Sequence, residues 1–133
     1  DLGYEIASRR ENLRRAAEVA SLFCDAGVIS LCCFISPTEE IRRMIRGIIG
    51  KDRLIEIYVN APIEVCEQRD VKGLYKKART GLIPDFTGIS SPFEPPSNPD
   101  IELPTHLLTV DACVAQIFDR LLKELALQDQ KQQ

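Results

Sequence analysis

Leu13, Ala16, Ala17, Ala20, Phe23 and Cys24 recur at helical spacing with charged residues between them, which predicts an amphipathic helix over residues 8–26. Gly27 follows as its C-terminal cap. Residues 28–35 form a nearly unbroken apolar, β-prone run, the pattern of a central parallel strand covered on both faces. A second helix is predicted over residues 37–49, ending at Gly50, and a second buried strand over 54–59. Residues 62–69 and 72–79 read as short helical pieces. Pro, Ser, Asn and Asp crowd residues 84–104, which are therefore mostly loop, with a short final strand at 101–103. Thr109 caps a last helix through Leu125 that places Val110, Cys113, Ile117, Leu121 and Leu125 on one face. The Gln-rich end reads as a frayed tail.

Strand, helix and strand joined by short turns predict an α/β fold with a parallel sheet. At 133 residues the chain has the material for one hydrophobic core. The sheet is small and the first helix has no strand before it, so the chain is expected to begin partway through a larger fold. Net charge is −3, which gives no argument for nucleic acid or an anionic membrane as partner. No apolar run reaches spanning length and no signal-peptide pattern opens the sequence. Cys24, Cys32, Cys33, Cys66 and Cys113 contain no Cys-x-x-Cys pair and sit in apolar contexts. Reduced, buried thiols in a cytoplasmic protein are expected from such a set, rather than a metal site.

An anion site must then come from local clustering, and residues 66–79 supply one. Five cations (Arg69, Lys72, Lys76, Lys77, Arg79), two acids and the aromatic Tyr75 surround Gly73. That mixture suits a segment that closes over an anionic ligand. Arg9 and Asn12 are three apart, so one helical turn presents both to the same ligand. A guanidinium makes forked, charge-assisted bonds to phosphate or sulfate oxygens. The plainer alternative is a solvated basic turn among Arg9, Arg10, Arg14 and Arg15. At the end of the first predicted strand, Ser36 and Glu39 have the spacing of a capping box, with Pro37 at the first helical position. No Gly-x-x-x-x-Gly-Lys-Ser/Thr phosphate loop occurs anywhere.

Taken together, the run from Cys66 to Arg79, the stretch Asp85, Phe86, Thr87, Gly88, Ile89, the tetrad Phe34, Ile35, Ser36, Pro37 and the opening Asp1, Leu2, Gly3, Tyr4 with Arg9 and Asn12 resemble the adenylylsulfate kinase family. The resemblance runs from Asp1 to about Leu125. It implies a three-layer α/β/α fold of the P-loop nucleotide kinase type, incomplete at the N-terminus, with a kinase domain over residues 1–126 and a frayed tail over 127–133. It also implies transfer of the γ-phosphoryl of ATP to the 3'-hydroxyl of adenosine 5'-phosphosulfate (APS), giving 3'-phosphoadenosine 5'-phosphosulfate and ADP in sulfate assimilation.

On the same resemblance, Tyr4 and Phe86 clasp the adenine of APS, and Arg9 and Asn12 hold its phosphosulfate. Ile35 and Lys76 join the substrate-binding residues, and Lys72 and Lys77 meet ATP phosphates. Arg69 offsets transition-state charge. Ser36 matches the serine the family describes as a phosphorylated intermediate. ATP comes with Mg²⁺, whose ligands, like the phosphate loop, are expected before Asp1, so this chain alone is expected to be inactive. The implied partners are APS and ATP, a second copy in a homodimer, and a sulfurylase domain or subunit, with no nucleic acid and no membrane. The alternative reading is a catalytically silent APS-binding or dimerisation module associated with a sulfurylase.

Overall fold

The protein was analysed as a computed structural model that describes residues 3–131. Asp1 and Leu2, with which the family resemblance opens, and the last two residues of the Gln-rich end lie outside the described residues. The elements in chain order are α1 (Ile6–Asp25), α2 (Glu39–Ile49), a 3-10 turn (Lys51–Arg53), β1 (Ile57–Asn60), α3 (Ile63–Arg69), α4 (Leu74–Arg79), β2 (Ile101–Pro104) and α5 (Val110–Lys131). They divide into two compact units, residues 1–54 with 67–97, and residues 55–66 with 98–133.

In the first unit α1 packs on α2. Ala17 and Ala20 meet Ile49, and Ile45, Ile48 and Leu54 close around them. Small side chains on α1 let the helices approach, so the longer isoleucines of α2 fill the space between. The expected stop at Gly27 is observed in full: its N–H donates to the Cys24 carbonyl, that of Val28 donates to Phe23, and Gly27 has φ 76°. This pair of bonds satisfies carbonyls that the helix end leaves over.

The start of α2 differs from expectation. The helix begins at Glu39 rather than Pro37, and Thr38, not Ser36, caps it by accepting from the Ile41 N–H at 3.4 Å. The reason is competition for carbonyls. The Ser36 carbonyl accepts from Arg42 Nη1 at 2.8 Å and the Pro37 carbonyl accepts from the Glu94 N–H at 2.8 Å. Groups that an earlier helix start would use are thus already bonded. Glu94 completes the arrangement, its carboxylate accepting from the Glu39 N–H at 2.7 Å.

Residues 28–35 are the largest departure. They carry no strand assignment, and among the described residues no strand pairs with them. Leu31 is 83% exposed, and Val28, Ile29, Phe34 and Ile35 are exposed as well. An extended run becomes a strand only when a neighbour accepts its N–H and C=O groups, and composition cannot supply the neighbour. Cys32 and Cys33 share this exposure, contrary to the buried thiols expected; Cys113 is buried, and Cys24 and Cys66 are partly so.

In the second unit β1 and β2 pair in parallel, with Ile57 opposite Ile101 and Asn60 opposite Pro104. The Asp100 carboxylate accepts from the Glu56 N–H at 2.8 Å, and Asn60 Nδ2 donates to Glu102 at 2.7 Å, which fixes the register at both ends. The strand expected over 54–59 is therefore shorter, and Val59 is 66% exposed rather than covered on both faces. Thr109 caps α5 as expected, accepting from the Ala112 N–H at 3.2 Å. The helix continues to Lys131, past Leu125, and its inward stripe is Cys113, Ile117 and Leu121, with Val110 and Leu125 exposed. No described helix is long and apolar enough to cross a membrane.

Candidate functional site

All the candidate site residues named from the resemblance belong to the first unit. Three of them, Arg9, Asn12 and Ile35, line one depression of about 210 Å³ together with Leu13, Cys33 and Phe34. The first turns of α1 supply the polar side, and the extended segment before α2 supplies the apolar side. A wider trench of about 570 Å³ continues along the same two walls from Asn12 toward Phe23 and Leu31.

Arg9 organises the polar side. Its Nε donates to the Tyr4 carbonyl at 2.6 Å, and its Nη2 donates to the Asp85 carbonyl at 3.1 Å. The guanidinium also lies over the Tyr4 ring, 5.6 Å from the centroid, a cation–π geometry. Arg9 therefore ties the chain before α1 to the turn that carries Phe86, across 76 positions of sequence. A guanidinium has more donors than these two bonds use, so the same group can face an anion while holding the turn. Asn12, one helical turn further on, is exposed in the same depression.

The Phe86 turn is tightly hydrogen-bonded. The Phe86 N–H donates to Ser90 Oγ at 2.9 Å, and its carbonyl accepts from Ile89, Ser90 and Ser91. Asp85 adopts φ 53°, a left-handed conformation that aspartate tolerates better than most side chains. Tyr75 of α4 meets Phe86 edge to face, with centroids 5.1 Å apart and planes at 72°.

The cationic segment is built around α4. Gly73, at φ 65°, turns the chain into the helix; a Cβ there would meet nothing, so the backbone conformation is what calls for glycine. The Asp70 carboxylate accepts from the Tyr75 and Lys76 N–H groups, each at 3.0 Å. Desolvation pushes the Asp70 carboxyl up, but the amides of Lys76, Tyr75 and Leu74 outweigh it and hold it below its ordinary value. Arg79 bonds Glu67 at 2.8 Å and anchors the far end of α4. Arg69 ends α3, Lys72 lies in the turn, and Lys76 and Lys77 follow Tyr75 on α4, all exposed.

Ser36 belongs to the start of α2, where its carbonyl accepts from Arg42. Arg42 is only 5% exposed and also bonds Glu39 at 3.0 Å, an anchor that the sequence reading passed over. Tyr75 and Asp85 were noted in the sequence without a role, and Glu94 was given none. Tyr75 left a signal, as the one aromatic within a cationic run, whereas the Arg9–Asp85 and Glu39–Glu94 bonds left none at such separations. Among the described residues no group of three His, Cys, Asp or Glu side chains is placed to hold a metal ion.

A family profile described as adenylylsulphate kinase matches residues 1–104. The adenylyl-sulfate kinase of Clostridium kluyveri is 52% identical over 121 residues, which cover 91% of this chain and 60% of that protein. That of Prochlorococcus marinus is 49% identical over 123 residues, covering 92% and 61%. The structure of the Mycobacterium tuberculosis APS kinase CysC, in complex with AMPPNP and APS, superposes with a TM-score of 0.86 at 41% identity, covering 91% of this chain and 70% of that one. The chain spans about three-fifths of the length of the curated relatives it matches.

Proposed function

The chain belongs to the adenylylsulphate kinase family and carries part of its α/β, P-loop kinase fold, and from that premise we propose that its first unit forms the APS-binding half of an enzyme that phosphorylates APS at the expense of ATP. The observation that carries this reading is the convergence of Arg9, Asn12 and Ile35 on one depression, with Arg9 also holding the Phe86 turn. A phosphosulfate is recognised by a guanidinium and an amide at that spacing. The adenine stacks on Phe86 and Tyr4, whose rings supply large apolar faces at small entropic cost.

Phosphoryl transfer to the 3'-hydroxyl of APS asks for positioning and charge stabilisation rather than covalent chemistry. Arg69 and Lys72, Lys76 and Lys77 supply positive charge from the segment that includes α4, offsetting charge that builds on the transferring group. Ser36 follows Ile35 in the chain and serves as a residue beside the acceptor. Direct in-line transfer requires no phosphoserine. Among the described residues the carboxylates form no cluster suited to Mg²⁺, so no step is assigned to the metal from these residues. The same reading gives the working enzyme as a cytoplasmic homodimer in sulfate activation, next to a sulfurylase that makes its substrate.

The test is steady-state kinetics and equilibrium titration of the full-length polypeptide that carries these residues. Arg9→Ala and Phe86→Ala are each expected to raise the APS KM at least about tenfold, with the ATP KM unchanged. Unaltered APS affinity in both variants removes the reading. APS binding with neither ATP binding nor turnover would instead favour the silent APS-binding module.

A further inference from the structure

We infer that Tyr75 is a positioning residue: its ring couples the lysine-bearing helix α4 to Phe86, so that capture of the acceptor's adenine sets where Lys76 and Lys77 stand. The inference rests on the reading of Phe86 as an adenine-stacking residue and adds to it a residue to which neither the family resemblance nor the depression assigns a role.

The argument follows the bonds. α4 is a short helix of six residues whose start is fixed by the Asp70 carboxylate at the Tyr75 and Lys76 amides. Its far end is held by the Arg79–Glu67 pair. Those anchors fix the helix to its own segment. The aromatic contact of Tyr75 with Phe86 carries it to the acceptor side. Phe86 in turn sits in the turn that Arg9 grips through the Asp85 carbonyl. The chain of contacts therefore runs from the cations of α4, through two rings, to the guanidinium in the depression. The two rings are in direct edge-to-face contact, so a shift of Phe86 on stacking moves the surface against which α4 rests. Tyr75 is half-buried, and the residues that follow it are the exposed lysines.

The test compares Tyr75→Leu, Tyr75→Phe, Phe86→Ala and the double variant Tyr75→Leu/Phe86→Ala in the full-length polypeptide, reading APS affinity by calorimetry, the KM and kcat for each substrate, and Tm. Tyr75→Leu is expected to weaken APS binding about three- to tenfold, the size of one aromatic contact, and to lower kcat as the lysines lose their placement, with Tm held. Tyr75→Phe, which keeps the ring, is expected to restore wild-type affinity. The double variant is expected to bind APS no worse than Phe86→Ala, because the two rings act as one unit. If Phe86→Ala leaves APS affinity unchanged, the underlying reading fails. If Phe86→Ala weakens APS binding while Tyr75→Leu does not, or if the two losses multiply, the positioning role is overturned. If Tyr75→Leu does not fold, Tyr75→Met takes its place under the same criteria. A Tyr75→Phe variant as impaired as Tyr75→Leu assigns the effect to the hydroxyl and also overturns the inference.

Discussion

The α1–α2 framework and the segment from Asp70 to Ser91 lie in one compact unit, yet they are held together by different forces. In the framework Ala17, Ala20 and Ile49 exclude water, and Ile41 is 1% exposed. In the other segment Ala78 is the buried apolar side chain, and position is set by carboxylate caps, an ion pair, a ring contact and backbone bonds in a turn. Apolar burial is strong and indifferent to direction, whereas hydrogen bonds at half-exposed sites are directional and individually modest in net worth. A framework of the first kind stays put. A segment of the second kind has its geometry specified at small cost in stability, which suits groups that must move against a ligand.

The contrast can be broken at its strong end first. Ile41→Ala removes a buried side chain and is expected to cost about 2–5 kcal/mol in denaturant unfolding, with APS affinity unchanged in the fraction that remains folded. A loss of APS affinity without loss of stability would erase the distinction. Thr38→Ala removes the cap of α2 and is expected to cost about 1 kcal/mol by the same measurement. In the polar segment Arg79→Ala breaks the exposed pair with Glu67 and is expected to change stability by less than about 1 kcal/mol. Its effect should be seen instead in the kinetic constants for substrates, measured against wild type at fixed ionic strength.

The smallest effect sharpens the comparison through pH. Hydrogen bonds from Arg14 and then Arg15 hold the Glu11 carboxyl down, against some desolvation, from an ordinary 4.5 to about 2. Because the folded value lies below the unfolded one, the Glu11 contribution is fully present above about pH 4.5 and is lost as pH falls toward 2. Asp70, also held below its ordinary 3.8, obeys the same sign. Thermal melts across that acid range should show a shallower decline for Glu11→Gln than for wild type. Identical slopes would remove the ion-paired turn of α1 from the account.

Much of the fold was readable because it is local. The period of α1, the stop at Gly27 and the cap at Thr109 each depend on residues within a few positions, and each was found where expected. The start of α2 was misplaced by two residues because Arg42 within the helix took the Ser36 carbonyl and the distant Glu94 took that of Pro37. Residues 28–35 have the composition of a buried strand but stand exposed, since pairing belongs to two segments and the sequence of one cannot supply it. Of the candidate site, the residue types at positions 9 and 12 were legible from their chemistry, and Phe86 only from the family resemblance. Their assembly was not.

By itself the sequence determined which stretches are helical, the stop of α1 at Gly27, the cap of α5 at Thr109, the cationic run around Gly73 and the family to which these residues belong, because short-range sterics, side-chain periodicity and local hydrogen bonding are written in neighbouring positions. Only the tertiary structure decided that Arg9 grips the Asp85 carbonyl, that Glu94 caps α2 and that Tyr75 meets Phe86. Bonds of that kind depend on where the packed framework brings two distant backbones together, and a directional contact of about 3 Å has no signature until that packing has formed.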